Sequence, residues 1–313
     1  MKSLSTTYLV VAFLLIVNTL SAQQSPLLTQ FMFNKQVFNP AAIADGDKMC
    51  VSSFYRSQWT GIEGSPTFMG ISATMPKLTR NMSAGISVFS DRLGKYNNTE
   101  IQGSYAYSIH LEESTISMGI RIGVVNMAFT DANWVTPETG SGGDPGIVNS
   151  KSNTWSPNLG IGFQYSNEKM FLGASIYNIT EANSSFDEVK ILQKRQYYFT
   201  GGYNIRLNST FKLIPNVLVQ TDLTSYQIDV NVNTLIHDNL VVGATYRLED
   251  AASILLGYNI LDGLQVYCSY DFGMTKIGGF SNSGGSYELS VKYCFTIDDK
   301  VKKSKKNRNV RFL

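Results

Sequence analysis

The stretch Ile116–Val124, read as Ile-Ser-Met-Gly-Ile-Arg-Ile-Gly-Val, places a large apolar residue at every second position, with Ser117, Gly119, Arg121 and Gly123 between them. That period of two marks a β-strand with one apolar face and one small or polar face. The same rhythm returns along almost the whole chain. A soluble sandwich buries its apolar faces against each other and turns the alternate residues to water. A membrane barrel turns the apolar face to lipid and leaves Gly, Ser and occasional charges for the lumen. The alternate face here is small and sparsely charged, which selects the barrel.

Composition supports that choice. Charged residues make up 16% of the 313 residues, against roughly a quarter in soluble domains, while the mean hydropathy is a neutral −0.07. Few charges without an apolar excess suit alternating strands. They do not suit a helical membrane protein, and no window after the first twenty residues resembles an apolar span of about 20. The first twenty differ. Lys2, the apolar run Tyr8 to Val17 and the small-residue exit Leu20-Ser21-Ala22 predict a signal peptide over 1–22, cleaved after Ala22.

The chain then divides into an N-terminal segment over 23–48, a barrel over 49–296 and a basic tail over 297–313. The N-terminal segment lacks clean alternation and carries a turn at Asn39-Pro40. It is expected before the barrel, as a short helix or plug touching the periplasmic mouth. The formal net charge of +2 conceals a tail, Asp298 to Leu313, with a net of +5, and a mature body of −4 once Lys2 is removed. The tail suits contact with an acidic partner, peptidoglycan or lipid head groups, or a plain solubilising end. An exported chain makes nucleic acid a poor partner.

The alternation predicts an all-β fold, a transmembrane antiparallel β-barrel of fourteen strands of the outer-membrane type. The strands fall at 49–56, 66–75, 82–90, 99–109, 115–127, 157–165, 169–177, 196–206, 215–222, 226–233, 238–247, 252–260, 264–272 and 286–296. An even number with lengths near nine to eleven suits tilted crossings. With the N-terminus in the periplasm, the long links 128–156, 178–195 and 273–285 all face the cell surface, and the short ones face the periplasm. The lipid-facing set includes Ile101, Tyr105, Tyr107, Ile161, Phe163, Leu289 and Tyr293. Gly103 is assigned to the opposite face, against its parity.

Three cysteines, Cys50, Cys268 and Cys294, have no metal spacing, and an odd number argues against a disulfide framework. Isolated small residues on strands is the simpler expectation, although Cys50 and Cys294 would be near neighbours if the barrel closes there. Catalytic chemistry is not expected. The only histidines, His110 and His237, lie in predicted short turns without the Ser and acid spacing of a triad. Asp45, Asp47, Asp91 and Asp131 form no metal motif, and no cofactor is expected.

Arg56, Arg121, Arg195, Arg206 and Arg247 lie on or beside strands, where facing lipid at midplane would cost about 2–4 kcal/mol. They should face the lumen or the head groups. Pairing with Asp271, Glu288 or Asp222 would brace the barrel; a selectivity ladder in a conducting pore is the sharper alternative. The block Arg56-Ser57-Gln58-Trp59-Thr60-Gly61-Ile62-Glu63-Gly64-Ser65-Pro66 combines an aromatic residue, two glycines for a tight reversal and a proline that fixes the start of the second strand. Arg56 and Glu63 are expected to pair across this hairpin. The block either shapes the barrel mouth or recognises a partner.

These residues also carry a family resemblance. Gln24-Ser25-Pro26, Thr29-Gln30-Phe31-Met32-Phe33-Asn34 and Asn39-Pro40-Ala41 come first, followed by the Arg56–Pro66 block. Asp91-Arg92-Leu93-Gly94, Tyr105-Ala106-Tyr107, Gly202-Tyr203, Gly243-Ala244-Thr245-Tyr246-Arg247 and Tyr270-Asp271 follow in order. Together they resemble the PorP/SprF outer-membrane proteins of type IX secretion and gliding motility in Bacteroidetes. Where that family often has His-Glu opening its last strand, this chain has Tyr287-Glu288.

The resemblance implies a non-enzymatic helper of secretion. Its partners would be a large secreted adhesin or other type IX substrate held through its C-terminal domain, periplasmic ring proteins and an OmpA-like peptidoglycan-binding protein. The residues expected to bind a partner or shape the mouth are Arg56, Trp59, Gly61, Glu63, Gly64, Pro66, Asp91, Arg247, Asp271 and Glu288. A structural clamp to the periplasmic machinery and a passive diffusion channel remain the alternatives.

Overall fold

A computed structural model describes residues 27–129, 152–186, 189–275 and 284–296. The expected signal peptide, the basic tail and the middle of the long links lie outside the described residues. In chain order the strands are β1 (Met49–Ser57), β2 (Thr67–Thr79), β3 (Met82–Leu93), β4 (Tyr96–His110), β5 (Ser114–Phe129), β6 (Ser152–Asn167), β7 (Met170–Tyr177), β8 (Asn183–Phe186) and β9 (Val189–Leu192). They continue with β10 (Gln196–Tyr203), β11 (Ile205–Arg206), β12 (Phe211–Thr221), β13 (Tyr226–Ile236), β14 (Leu240–Arg247), β15 (Ala251–Leu261), β16 (Leu264–Gly273) and β17 (Ser286–Phe295).

Each barrel strand pairs antiparallel with its sequence neighbours, and β1 pairs β17 from Met49↔Phe295 to Ser57↔Tyr287, so the sheet closes. β11 continues β10 past a break at Asn204, while β8 and β9 form a separate hairpin. That leaves fourteen barrel strands, as the alternation predicts. Several extend beyond the predicted ends: β2 runs to Thr79 and β6 begins at Ser152, because chain outside the apolar belt still completes the backbone ladder.

The organising stretch lies as its pattern requires. Met118, Ile120, Ile122 and Val124 are exposed on the outer surface, while Ser117 and Arg121 are buried inside. Aliphatic residues such as Ile71, Ile86, Ile122 and Leu256 cover the outer face. Exposed tyrosines mark its two ends, with Tyr55, Tyr226, Tyr246 and Tyr287 towards the long links and Tyr107, Tyr203, Tyr258 and Tyr293 towards the short turns. This is the aromatic girdling of a lipid-embedded barrel. Gly103 belongs to the outer set after all, since strict alternation with Gln102 turns it to the exterior.

Cys50 and Cys294 are register partners and form a disulfide, which corrects the expectation of isolated small residues. Closure places them side by side on the lumen-facing row, a proximity that spacing across 244 residues does not display. Cys268 is a free, exposed cysteine.

The lumen is occupied. Residues from Leu27 onward lie inside the barrel, with Leu28, Phe31, Met32, Phe38, Ala41 and Ile43 buried. Two short 3-10 turns, Lys35–Val37 and Pro40–Ala44, shape this segment, and the Asn39 side chain caps the second by accepting from the Ala41 N–H at 2.9 Å. The segment starts at the mouth with the long links and descends towards the short turns, where β1 begins. A short helix or plug touching the short-turn mouth was expected; contacts of Thr29 and Gln30 with β16 and β17 place the first described residues at the other mouth.

Glycines on the inner face make room for the segment. A Cβ on Gly119 would collide with the backbone of Pro40 and Ala41, and one on Gly162 would collide with the Asn39 side chain. The small face of the alternating pattern is therefore a seat for the second 3-10 turn.

Candidate functional site

A buried ionic network stands at the long-link end. Arg56 donates to Asp271 Oδ2 at 2.7 Å and to Glu288 Oε2 at 3.3 Å. Arg247 Nε lies 3.2 Å from both Asp229 oxygens, and its Nη1 reaches Asp250 at 3.3 Å and Asp271 at 3.5 Å. All of these are buried except Asp250, which is partly exposed. Barrel closure explains the convergence. Arg56 and Glu288 are direct partners across β1 and β17, and Asp229 faces Arg247 across β13 and β14. Charges buried this deeply persist only when paired and hydrogen-bonded.

The network holds the luminal segment. The Thr29 hydroxyl donates to Asp271 at 2.8 Å and accepts from Arg56 at 2.9 Å and Arg247 at 3.2 Å. The Thr29 and Gln30 N–H groups donate to the two Glu288 oxygens at 2.8 and 3.1 Å, and Gln30 Nε2 donates to Ser269 Oγ and the Glu288 carbonyl. One threonine thus joins both guanidinium groups.

Arg56, Arg247, Asp271 and Glu288, expected to act at the mouth, meet in this one cluster. Asp229, Asp250 and Thr29 were not among the expected site residues. Asp229 had a signal in the polar inward series Gln227, Asp229, Asn231, Asn233 on β13. The expected Arg56–Glu63 pair does not form, because Arg56 points into the lumen while Glu63 is exposed. Asp222 pairs with Lys194 at 3.6 Å instead of bracing an arginine. Arg121 pairs inside with Glu100 at 2.9 Å, whereas Arg195 is exposed and pairs with Glu181.

The hairpin above the network carries the rest of the expected set. Trp59, Gly61 and Gly64 have φ of 51°, 94° and 75°. The positive φ at the two glycines is the conformation that glycine adopts without strain. The Gly94 N–H donates to the Gly64 carbonyl at 2.9 Å, tying this link to the β3–β4 turn, and Thr60 N–H donates to Gly285 at 2.8 Å. Pro66 accepts from Gln58 N–H at 2.9 Å.

Between this hairpin and the luminal segment lies a cavity of about 580 Å³. Its walls include Trp59, Pro66, Phe68, Phe89, Asp91, Tyr96, Arg121, Phe129, Tyr177 and Tyr198, and Leu27, Val37 and Phe38 contribute from the segment. The volume and mixed aromatic and polar lining fall within the range of ligand sites. Lys194 also lines it, bridging to the β12–β13 turn. Burial alone would raise the Asp222 carboxyl there, but N–H groups of Ser225 and Thr224, the Ser225 hydroxyl and Lys194 hold it below the usual carboxylate range.

The sequence matches the family described as type IX secretion system membrane protein PorP/SprF over residues 20–293. The chain belongs to the PorP/SprF family. It is thus an outer-membrane component of type IX secretion, associated with that machinery. No curated protein matches significantly. Among solved structures, the Acinetobacter baumannii outer membrane protein Omp33 is similar with a TM-score of 0.47 at 8% identity, covering 80% of this chain and 100% of that one. The P. putida toluene transporter TodX gives 0.48 at 9% identity, covering 85% and 95%. The KdgM porin gives 0.38 at 12%, covering 79% and 99%.

Proposed function

We propose that this PorP/SprF barrel receives and anchors a large secreted surface protein through that protein's C-terminal domain, without a catalytic step. The occupied lumen is the observation that carries the reading. A diffusion channel needs an open path, whereas here Leu28, Phe31, Phe38 and Ala41 are buried within the barrel and the Thr29 latch ties them to four strands. A fixed receptor needs a rigid mouth, and the Gly64–Gly94 and Thr60–Gly285 bonds brace three links together.

In this reading the links 128–156, 178–195 and 273–285 face the cell surface and contact the partner with Trp59, Glu63, Pro66 and Asp91. Arg56, Arg247, Asp271 and Glu288 hold the mouth in shape from beneath. Gentle detergent extraction of the tagged protein from its native membrane, with mass spectrometry of everything retained, tests it. A large secreted protein with a C-terminal sorting domain is expected. A solitary barrel that conducts ions in a planar bilayer would overturn the receptor reading, and periplasmic ring proteins without cargo would favour a clamp.

A further inference from the structure

The cavity at the mouth has an uneven charge balance. Five charged residues line it: Arg56, Asp91, Glu100, Arg121 and Lys194. Four are matched, Arg56 by Asp271 and Glu288, Arg121 by Glu100, and Lys194 by Asp222. Asp91 has no ion pair or hydrogen bond to its carboxylate among the described residues.

Neighbouring polar atoms share that deficit. Asp91 is the register partner of Asn98 across β3 and β4, so the two project into the lumen side by side. The Asn98 Oδ1 is buried without a hydrogen-bond donor, and so is the Oδ1 of Asn158, whose amide already donates to Glu100 at 2.5 Å. A buried acceptor left without a donor is costly. The wall also holds donors without partners, Arg56 Nε and Arg121 Nε, but they belong to guanidinium groups whose charge is matched. The unmatched charge is the Asp91 carboxylate, and with two bare acceptors beside or facing it this selects a cation that carries N–H donors.

The aromatic residues specify its shape. Phe68, Phe89, Tyr96, Phe129, Tyr177 and Tyr198 line the same cavity, with Tyr96 and Phe129 packed edge to face at 5.3 Å. Aromatic faces attract cations and also cover an apolar stem. The wall already shows the geometry once, with the Arg121 guanidinium 3.6 Å above the Tyr177 ring. A bare metal ion would leave most of about 580 Å³ unfilled.

We infer that the cavity is a socket for a basic side chain, arginine or lysine, projecting from the bound polypeptide, with Asp91 as its counter-ion and the surrounding rings as its sleeve. The identity of the occupant rests on the receptor reading; the preference for a cation rests on the cavity alone.

Binding of Nα-acetyl-arginine amide and of its neutral isostere Nα-acetyl-citrulline amide to the purified barrel, followed by calorimetry at low salt, separates the two. The arginine probe is expected to bind at least tenfold more tightly than citrulline. Asp91→Asn should remove that difference while keeping the heat-modifiable barrel band, and Asp238→Asn, an exposed carboxylate at the short-turn end paired with Lys212, should leave it unchanged. Equal affinities in the wild type, no binding of the arginine probe, or an unaltered preference in Asp91→Asn would overturn the inference. The secreted partner co-purifying with a wild-type barrel that shows no cation preference would remove the socket and spare the receptor. Cation preference without any co-purified partner would do the reverse.

Discussion

The Arg56 guanidinium lies 2.7 Å from Asp271 with both side chains 2% exposed, and it reaches that carboxylate past β17 from the opposite side of the closing seam. The first barrel strand is thereby connected to the second last by charge as well as to the last by backbone hydrogen bonds.

Removing that cation should be severe. Arg56→Ala leaves Asp271 and Glu288 buried with less compensation, and breaking a buried pair costs about 3–5 kcal/mol. A fall in the temperature at which the folded band disappears in a heat-modifiability gel measures it. Arg56→Lys should recover only part of the loss, because an ammonium cannot replace the planar fork of donors.

The seat of the luminal segment can be spoiled without touching the network. Gly162→Val puts a side chain where Asn39 sits, and Gly119→Val puts one against Pro40 and Ala41. Either variant should raise single-channel conductance in a planar bilayer above the wild-type level. Unchanged conductance in both, with the barrel folded, would show that this segment does not obstruct the lumen.

The Cys50–Cys294 bond joins the two edge strands of the sequence at the short-turn end. Its removal by Cys50→Ser with Cys294→Ser should lower stability by about 2–4 kcal/mol, in the usual range for native disulfides. The oxidised and reduced wild type should differ by the same amount in heat-modifiability assays, and the double variant should no longer respond to reductant.

Asp222 supplies a pH dependence outside the membrane-spanning strands. Its folded carboxyl lies below the usual range, so its contribution is present above the unfolded value of about 3.9 and disappears as pH falls through the lower folded value. Asp222→Asn should flatten the part of the stability profile below about pH 4 and leave its shape at neutral pH unaltered. Thermal midpoints across pH for the two proteins check this.

Much of the fold was legible because lipid imposes a regular pattern. Met118, Ile120 and Ile122 face outward for the same reason that Ser117 and Arg121 face inward, and period two reports both. The long links sort to one end because each strand reverses the chain. What lay inside was harder to read. Thr29 and Glu288 are separated by 259 residues, and no local pattern announces their contact. For Arg56 two pairings were open, with Glu63 in its own hairpin or with Asp271, Glu288 or Asp222 inside the barrel, and the buried Asp271 and Glu288 took it. Cys50 and Cys294 were legible as neighbours on the condition of closure, and it is the meeting of β1 with β17 that turns the neighbours into a bond.

The position of the Thr29 latch carries a consequence for biogenesis. Its N–H and hydroxyl groups bond to Glu288 and Asp271, residues in the last two strands, although Thr29 itself precedes β1. Arg56 on β1 and Arg247 on β14 also bond to Thr29, but both of its carboxylate partners come with the last two strands. The latch is therefore complete only when the circumference is, so a full set of Thr29 bonds is a mark of a finished barrel.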